Sequence, residues 1–123
     1  MEYRGYCDLN VYKLAYDLAI ELFRATRGFP PEEKFALTNQ IRRSSRSVAA
    51  NLAEGWKRRR YEKTFILKLT ECAAEAAETQ VWLDFARDAG YFTAETHERF
   101  YRGYEDVSRM LYSMIQQPWK FCR

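Results

Sequence analysis

An all-α, antiparallel up-down-up-down four-helix bundle is expected from three observations. Apolar residues recur at three-to-four spacing through four separate stretches, and Gly, Pro or Thr residues punctuate the chain between them. Nothing in the 123 residues reads as a strand. The punctuating segments are too short for crossovers, so consecutive helices should be antiparallel neighbours.

The first helix is expected from Asp8, a plausible N-cap, to about Thr26, with Val11, Leu14 or Ala15, Leu18 and Leu22 facing the core. Gly28 and Pro30-Pro31 end it and open a second helix near Glu32. That helix is expected to reach Glu54, with Gly55 as a candidate C-terminal cap. Its apolar stripe is Leu37, Ile41, Val48 and Leu52, with Ser45 between. A third helix should begin near Arg59 and run to about Ala89, burying Phe65, Leu69, Cys72, Ala76, Thr79, Leu83 and Ala86. Gly90 is a candidate cap, and Thr93 and Thr96 are candidate N-caps for the fourth helix. The fourth helix presents His97, Phe100 or Tyr101, Tyr104, Val107, Leu111 and Met114, and Pro118 stops it. Trp119 and Phe121 in the tail are too apolar to stay in water without cost and should dock on the bundle or on another subunit.

One position behind the apolar stripe of the second helix runs a polar one: Gln40, Ser44, Ser47, Asn51 and Glu54. Solvated helix faces are usually filled with Lys and Glu, whereas small residues let another helix come close. Buried Asn or Gln side chains then need hydrogen-bond partners. The pattern predicts a helix with contacts on most sides, suited to assembly or binding rather than catalysis.

The same block resembles a known signature. Gln40-Ile41-Arg42-Arg43, the small pair Ser44-Ser45, Ser47-Val48 and Asn51-Leu52-Ala53-Glu54-Gly55 are similar to the motif of the bacterial 23S rRNA intervening-sequence proteins, also called the four-helix-bundle protein family. Phe29-Pro30 and Glu33 upstream, and Glu78-Thr79-Gln80 and Ala89-Gly90-Tyr91 downstream, extend the resemblance over about Leu9 to Ile115. The sequence departs from the family at Arg46, where a small apolar residue is common. It departs again at Ala49, which replaces a frequent Pro, so the second helix should run unbroken. Ala76-Ala77-Glu78 stands where the family tends to have Glu-Leu-Glu, with Glu75 one position early. The resemblance implies rings of five bundles, and a relation to the accessory proteins of diversity-generating retroelements, which bind a reverse transcriptase and nucleic acid.

The length fits one domain, residues 1–123, with a real core. With 47% hydrophobic and 30% charged residues, disorder is not expected. No apolar run could span a membrane and no N-terminal signal pattern is visible, so the cytoplasm is the expected compartment and no membrane partner is expected. Cys7, Cys72 and Cys122 lack metal or redox spacing. Cys72 lies on a core stripe; Cys7 and Cys122 could meet in space but should stay thiols in a reducing compartment.

Enzymatic chemistry finds little support. A di-iron bundle needs two Glu-x-x-His motifs, and the chain has one histidine. His97 follows Arg87 across a helix break, so the Arg-x(4–6)-His arrangement of helical ribonucleases is absent, and a stripe role with a satisfied ring nitrogen is expected for His97. Ser44, Ser45 and Ser47 have no elbow and no nearby base. The isolated glycines form no phosphate loop. No cofactor or metal is therefore expected, and Glu71, Glu75 and Glu78 need another explanation than acid–base catalysis. If the second and third helices form a hairpin pivoting near Lys57, Arg42 and Arg43 come level with Glu71 and Glu75, and ion pairs between the helices are expected.

Charge is distributed unevenly. Between Asn39 and Lys63 lie eight cations, Arg42, Arg43, Arg46, Lys57, Arg58, Arg59, Arg60 and Lys63, against Glu54 and Glu62, while the whole chain carries only +3. Cations at a helix N-terminus oppose its dipole, so the run Lys57-Arg58-Arg59-Arg60 is poorly explained by structure alone. With Lys63, with Arg46 along the same helix, and flanked by Trp56 and Tyr61, it suits phosphate contacts and base stacking. The expectation is a non-enzymatic homo-oligomer, with a pentamer as the family-based number, that binds RNA or DNA through this turn. No base-reading motif supports sequence specificity. The alternative is a scaffold that binds only protein, such as a reverse transcriptase, its arginines serving subunit contacts.

Overall fold

The computed structural model describes residues 3–122. Four helices, α1 (Asn10–Ala25), α2 (Leu37–Lys57), α3 (Glu62–Asp88) and α4 (Ala94–Gln116), follow one another, the last three joined by short turns and α1 joined to α2 by a longer segment with two 3₁₀ turns, and no strand occurs among the described residues. Each helix packs on the next, and α4 returns to α1. Every pairing is antiparallel. Ser44 meets Thr79 and Glu54 meets Lys68 across α2 and α3; Asp84 meets His97 across α3 and α4; Leu18 faces Gly103 and Glu21 meets Arg99 across α1 and α4. The expected all-α four-helix bundle is the observed architecture.

The buried stripes are those that the spacing predicts. Val11, Ala15, Leu18 and Leu22 of α1, Ile41, Val48 and Leu52 of α2, and Phe65, Leu69, Cys72, Ala76, Leu83 and Ala86 of α3 join Phe100, Tyr104, Val107 and Leu111 of α4 in one core. Cys72 is closed off there, its Sγ 3.5 Å from the Val48 carbonyl, and burial pushes its thiol up to about 12. Cys7 is exposed and Cys122 half-buried, both as free thiols. The tail divides: Phe121 packs against Tyr3, Trp56 and Phe65, whereas Trp119 stays 68% exposed.

Element ends hold the surprises. Asp8 does not cap α1; its carboxylate accepts the Arg4 N–H at 2.7 Å inside the preceding turn, and α1 starts at Asn10. Pro31–Glu33 forms a separate 3₁₀ turn, so α2 begins at Leu37 rather than Glu32, where the Glu33 carboxylate takes the Leu37 N–H at 3.3 Å. At the other end α2 runs unbroken past Glu54 to Lys57. Gly55 is therefore not a cap: it lies inside the helix, and a Cβ there would sit 2.9 Å from Lys68 Cβ. Its role is to let α3 come close. Gly90, by contrast, has φ +82 and ends α3 with the Tyr91 N–H on the Ala86 carbonyl and the Gly90 N–H on that of Arg87, a Schellman closure. Thr93 caps α4 by accepting the Thr96 N–H at 3.1 Å; Thr96 itself lies within the helix.

Candidate nucleic-acid interface

The basic turn sits where α2 ends and α3 begins. Arg58, Arg59, Arg60 and Tyr61 form it, with Lys57 as the last residue of α2 and Lys63 in the first turn of α3. Arg59 is folded inward: its guanidinium stacks on the Trp56 ring at 4.1 Å and its Nη1 donates to the Trp56 carbonyl at 2.9 Å. Lys57, Arg58, Arg60 and Lys63 are exposed, and among the described residues none of them has a carboxylate partner. The remaining cations of α3 and α4 contrast with them, since Lys68, Arg87, Arg99, Arg102 and Arg109 are all paired with acids. An anion approaching this end of the bundle meets four unneutralised charges.

Two parts of the sequence-based site need correction. Trp56 is only 4% exposed, held by Tyr3, Phe121 and Arg59, so it cannot serve as a stacking platform. Tyr61, 63% exposed with the Arg60 guanidinium 5.9 Å from its ring, can. Arg46 does not belong to the turn: it lies about 18 Å back along α2, over the Phe23 ring of α1 at 5.5 Å.

The facing register of α2 and α3 is one helical turn away from the expected one. Arg43 pairs with Glu78 at 2.6 Å rather than with Glu71 or Glu75, and its guanidinium also reaches the Gln40 side-chain oxygen at 3.3 Å. The chain reverses across Arg58–Tyr61, so the pivot falls beyond the expected one near Lys57. Lys68 then bridges Glu54 and Glu71 at 3.1 and 3.2 Å. Glu75 makes no ion pair among the described residues; its Oε2 is buried and unpaired, and burial, then the charge of Glu78, raises its pKa against the weaker pull of Arg43. Ser44 of the polar stripe is fully buried, 2.8 Å from Thr79 Oγ1, while Ser47 and Asn51 are half-buried.

Arg42 points the other way, into α1. Its Nε donates to Thr26 Oγ1 at 2.8 Å and its Nη2 to the Phe23 carbonyl at 3.2 Å, closing the C-terminal end of α1. With Arg27 and Arg46 it surrounds the Phe23 ring, at 4.9, 4.6 and 5.5 Å for Arg27, Arg42 and Arg46. Sequence reasoning missed this cluster, although Arg42 and Arg46 at four-residue spacing must share a helix face. His97 behaves as expected of a stripe histidine: it is buried and its Nε2 lies 2.7 Å from Asp84, with Arg87 Nη1 at 3.4 Å. Among the described residues no group of three or more His, Cys, Asp or Glu side chains could hold a metal, and no helix is long and apolar enough to cross a membrane.

A bundle of this topology with a Gln-Ile-Arg-Arg helix at its centre defines a class of small helical proteins, and the comparisons assign it. Residues 7–113 match the family described as 23S rRNA-intervening sequence protein, and the chain belongs to that family. The fold is also that of a protein of unknown function from the S23 ribosomal protein family of Bacteroides thetaiotaomicron, 27% identical over 87% of this chain and 96% of that one, with a TM-score of 0.78. None of the curated proteins is similar enough to match.

Proposed function

We propose that the protein is a non-enzymatic, self-assembling helical bundle that binds RNA or DNA through the α2–α3 turn. The observation that carries the reading is the exposed, unpaired set Lys57, Arg58, Arg60 and Lys63 beside exposed Tyr61, on a molecule whose α3 and α4 cations are otherwise matched to acids. Phosphates would displace condensed counterions there, and Tyr61 offers a ring for an unpaired base. The family description, which refers to an rRNA intervening sequence, is consistent with RNA as the polyanion.

The test is binding of a single-stranded RNA across a range of salt concentrations. The slope of log K against log salt should be negative by about 0.7 per phosphate contacted. The double variant Arg58→Ala/Arg60→Ala should flatten it by about one to two units, leaving helix content unchanged. Arg59 is kept because it packs on Trp56. Parent binding that ignores salt, or a variant that binds like the parent, rejects the reading.

A second reading, a scaffold that binds only protein, is favoured by the outer face of α3. Leu67, Val81 and Phe85 are 57%, 48% and 58% exposed on the side away from the core. Such a face takes another copy of the chain, five in the ring implied by the family resemblance, or a protein partner such as a reverse transcriptase.

A further inference from the structure

The connection between α1 and α2 encloses a second cationic site, at the opposite end of α2 from the basic turn and about 28 Å from it along the helix. A pocket of about 300 Å³ opens there. Arg27, Lys34, Thr38 and Arg42 form its polar wall, and Phe29, Pro30 and Pro31 an apolar one. Among the described residues no carboxylate lines it. Of the two acids between Pro31 and Lys34, Glu33 is engaged by the Leu37 N–H and by the Tyr91 hydroxyl at 2.8 Å, and Glu32 is exposed and outside the lining. Lys34 Nζ lies 5.3 Å from the Phe35 ring, and Arg27 rests on Phe23, so neither is neutralised by a partner.

Arg42 is the fixed point of the site. Its bonds to Thr26 and to the Phe23 carbonyl use Nε and Nη2, and Nη1 has no hydrogen-bond partner among the described residues. Burial first, and then the charges of Arg46 and Arg27, lowers its pKa. The C-terminal dipole of α1 offsets only about half a charge. Thr38 contributes to the wall by packing: it is 7% exposed, and its Oγ1 is buried, without a hydrogen-bond partner among the described residues, out of reach from the pocket.

We propose that this pocket binds a phosphate monoester, Arg42 and Arg27 holding the phosphoryl oxygens and Lys34 covering them from solvent. A monoester carries about −1.5 to −2 charges near neutral pH, which matches several cations better than a diester does. The pocket exceeds one phosphate in size, and Phe29, Pro30 and Pro31 give the organic portion an apolar surface. The site does not depend on nucleic acid binding at the α2–α3 turn.

Calorimetric titration with phenyl phosphate, and with a tetranucleotide carrying either a 5′-phosphate or a 5′-hydroxyl, tests it. Saturable binding is expected, and Arg27→Gln/Lys34→Gln, both at exposed positions, should weaken it at least about tenfold. Arg58→Ala/Arg60→Ala should leave phenyl phosphate binding as it is. Thr38→Val should raise the melting temperature of the free protein and leave phenyl phosphate binding as it is, because the buried hydroxyl faces no ligand. If the 5′-phosphorylated oligonucleotide binds far more tightly than both phenyl phosphate and its hydroxyl twin, the pocket takes a strand end; if it binds no better than phenyl phosphate, the ligand is a small phosphomonoester. No saturation by any probe up to about 10 mM overturns the proposal, as does full affinity in Arg27→Gln/Lys34→Gln.

Discussion

Glu75 shows how much one turn of register matters to a single side chain. One helical turn away in register it would have faced an arginine; as the helices lie, its Oε2 is buried with no partner among the described residues, and Glu78 repels it more than Arg43 attracts it. Its folded pKa is raised above the ordinary 4.5, so the ionised form is the one the fold disfavours. The sign follows. Below the unfolded value both states bind the proton and no penalty exists; as pH rises through the folded pKa the penalty grows and then levels off. Glu75→Gln should therefore stabilise the protein at pH 7 by roughly 0.5–1 kcal/mol and give no gain below about pH 4. Urea midpoints measured at the two pH values decide it, and an equal gain at both would refute the account.

At the scale of the helix, Arg42 and Arg43 are neighbours in sequence with different employment. Arg43 makes an ion pair with Glu78 whose side chains are 50% and 36% exposed, and surface pairs of this kind are worth at most about 1 kcal/mol. Arg42 ties α2 to the end of α1 through a carbonyl and a buried threonine. Arg43→Ala should cost less than about 1 kcal/mol, and Arg42→Ala about 1.5–3 kcal/mol, because it leaves Thr26 and a helix-end carbonyl short of a partner. Denaturation followed by circular dichroism ranks the two, and the reverse order would contradict the structure. The same pair marks what could be read from sequence. The apolar stripes were legible because periodicity is local: Phe65 to Ala86 could be placed one by one. The direction of Arg42 was not, since it depends on the angle between two faces of one helix and on which neighbour each meets. Nor was the hairpin register, because Gly55 reads as a helix end and only packing against Lys68 reveals its use. The turn cations were visible as a run, but Arg59 could be separated from Arg58 and Arg60 only once Trp56 was seen to lie beneath it.

For the whole molecule, α3 is the unusual element, apolar toward the core and apolar again outward at Leu67, Val81 and Phe85. If that outer face carries the proposed assembly, the parent should scatter light with a mass well above 14.7 kDa at micromolar concentration. Val81→Glu/Phe85→Glu should bring the mass down to that of one chain with helix content retained, because both side chains lie outside the core. A parent that stays monomeric, or a variant that keeps the parent's mass, rules this face out as the contact.

The sequential wiring of the bundle has a kinetic meaning. Three of its four helix pairs form between helices consecutive in the chain, and only the seam between α1 and α4, where Leu18 meets Gly103, brings together distant parts of it. Local pairs close small loops and lose little chain entropy, so this topology belongs with those that fold in about microseconds to milliseconds. The α1–α4 seam should zip last, and under load it is the place where the bundle would first come apart.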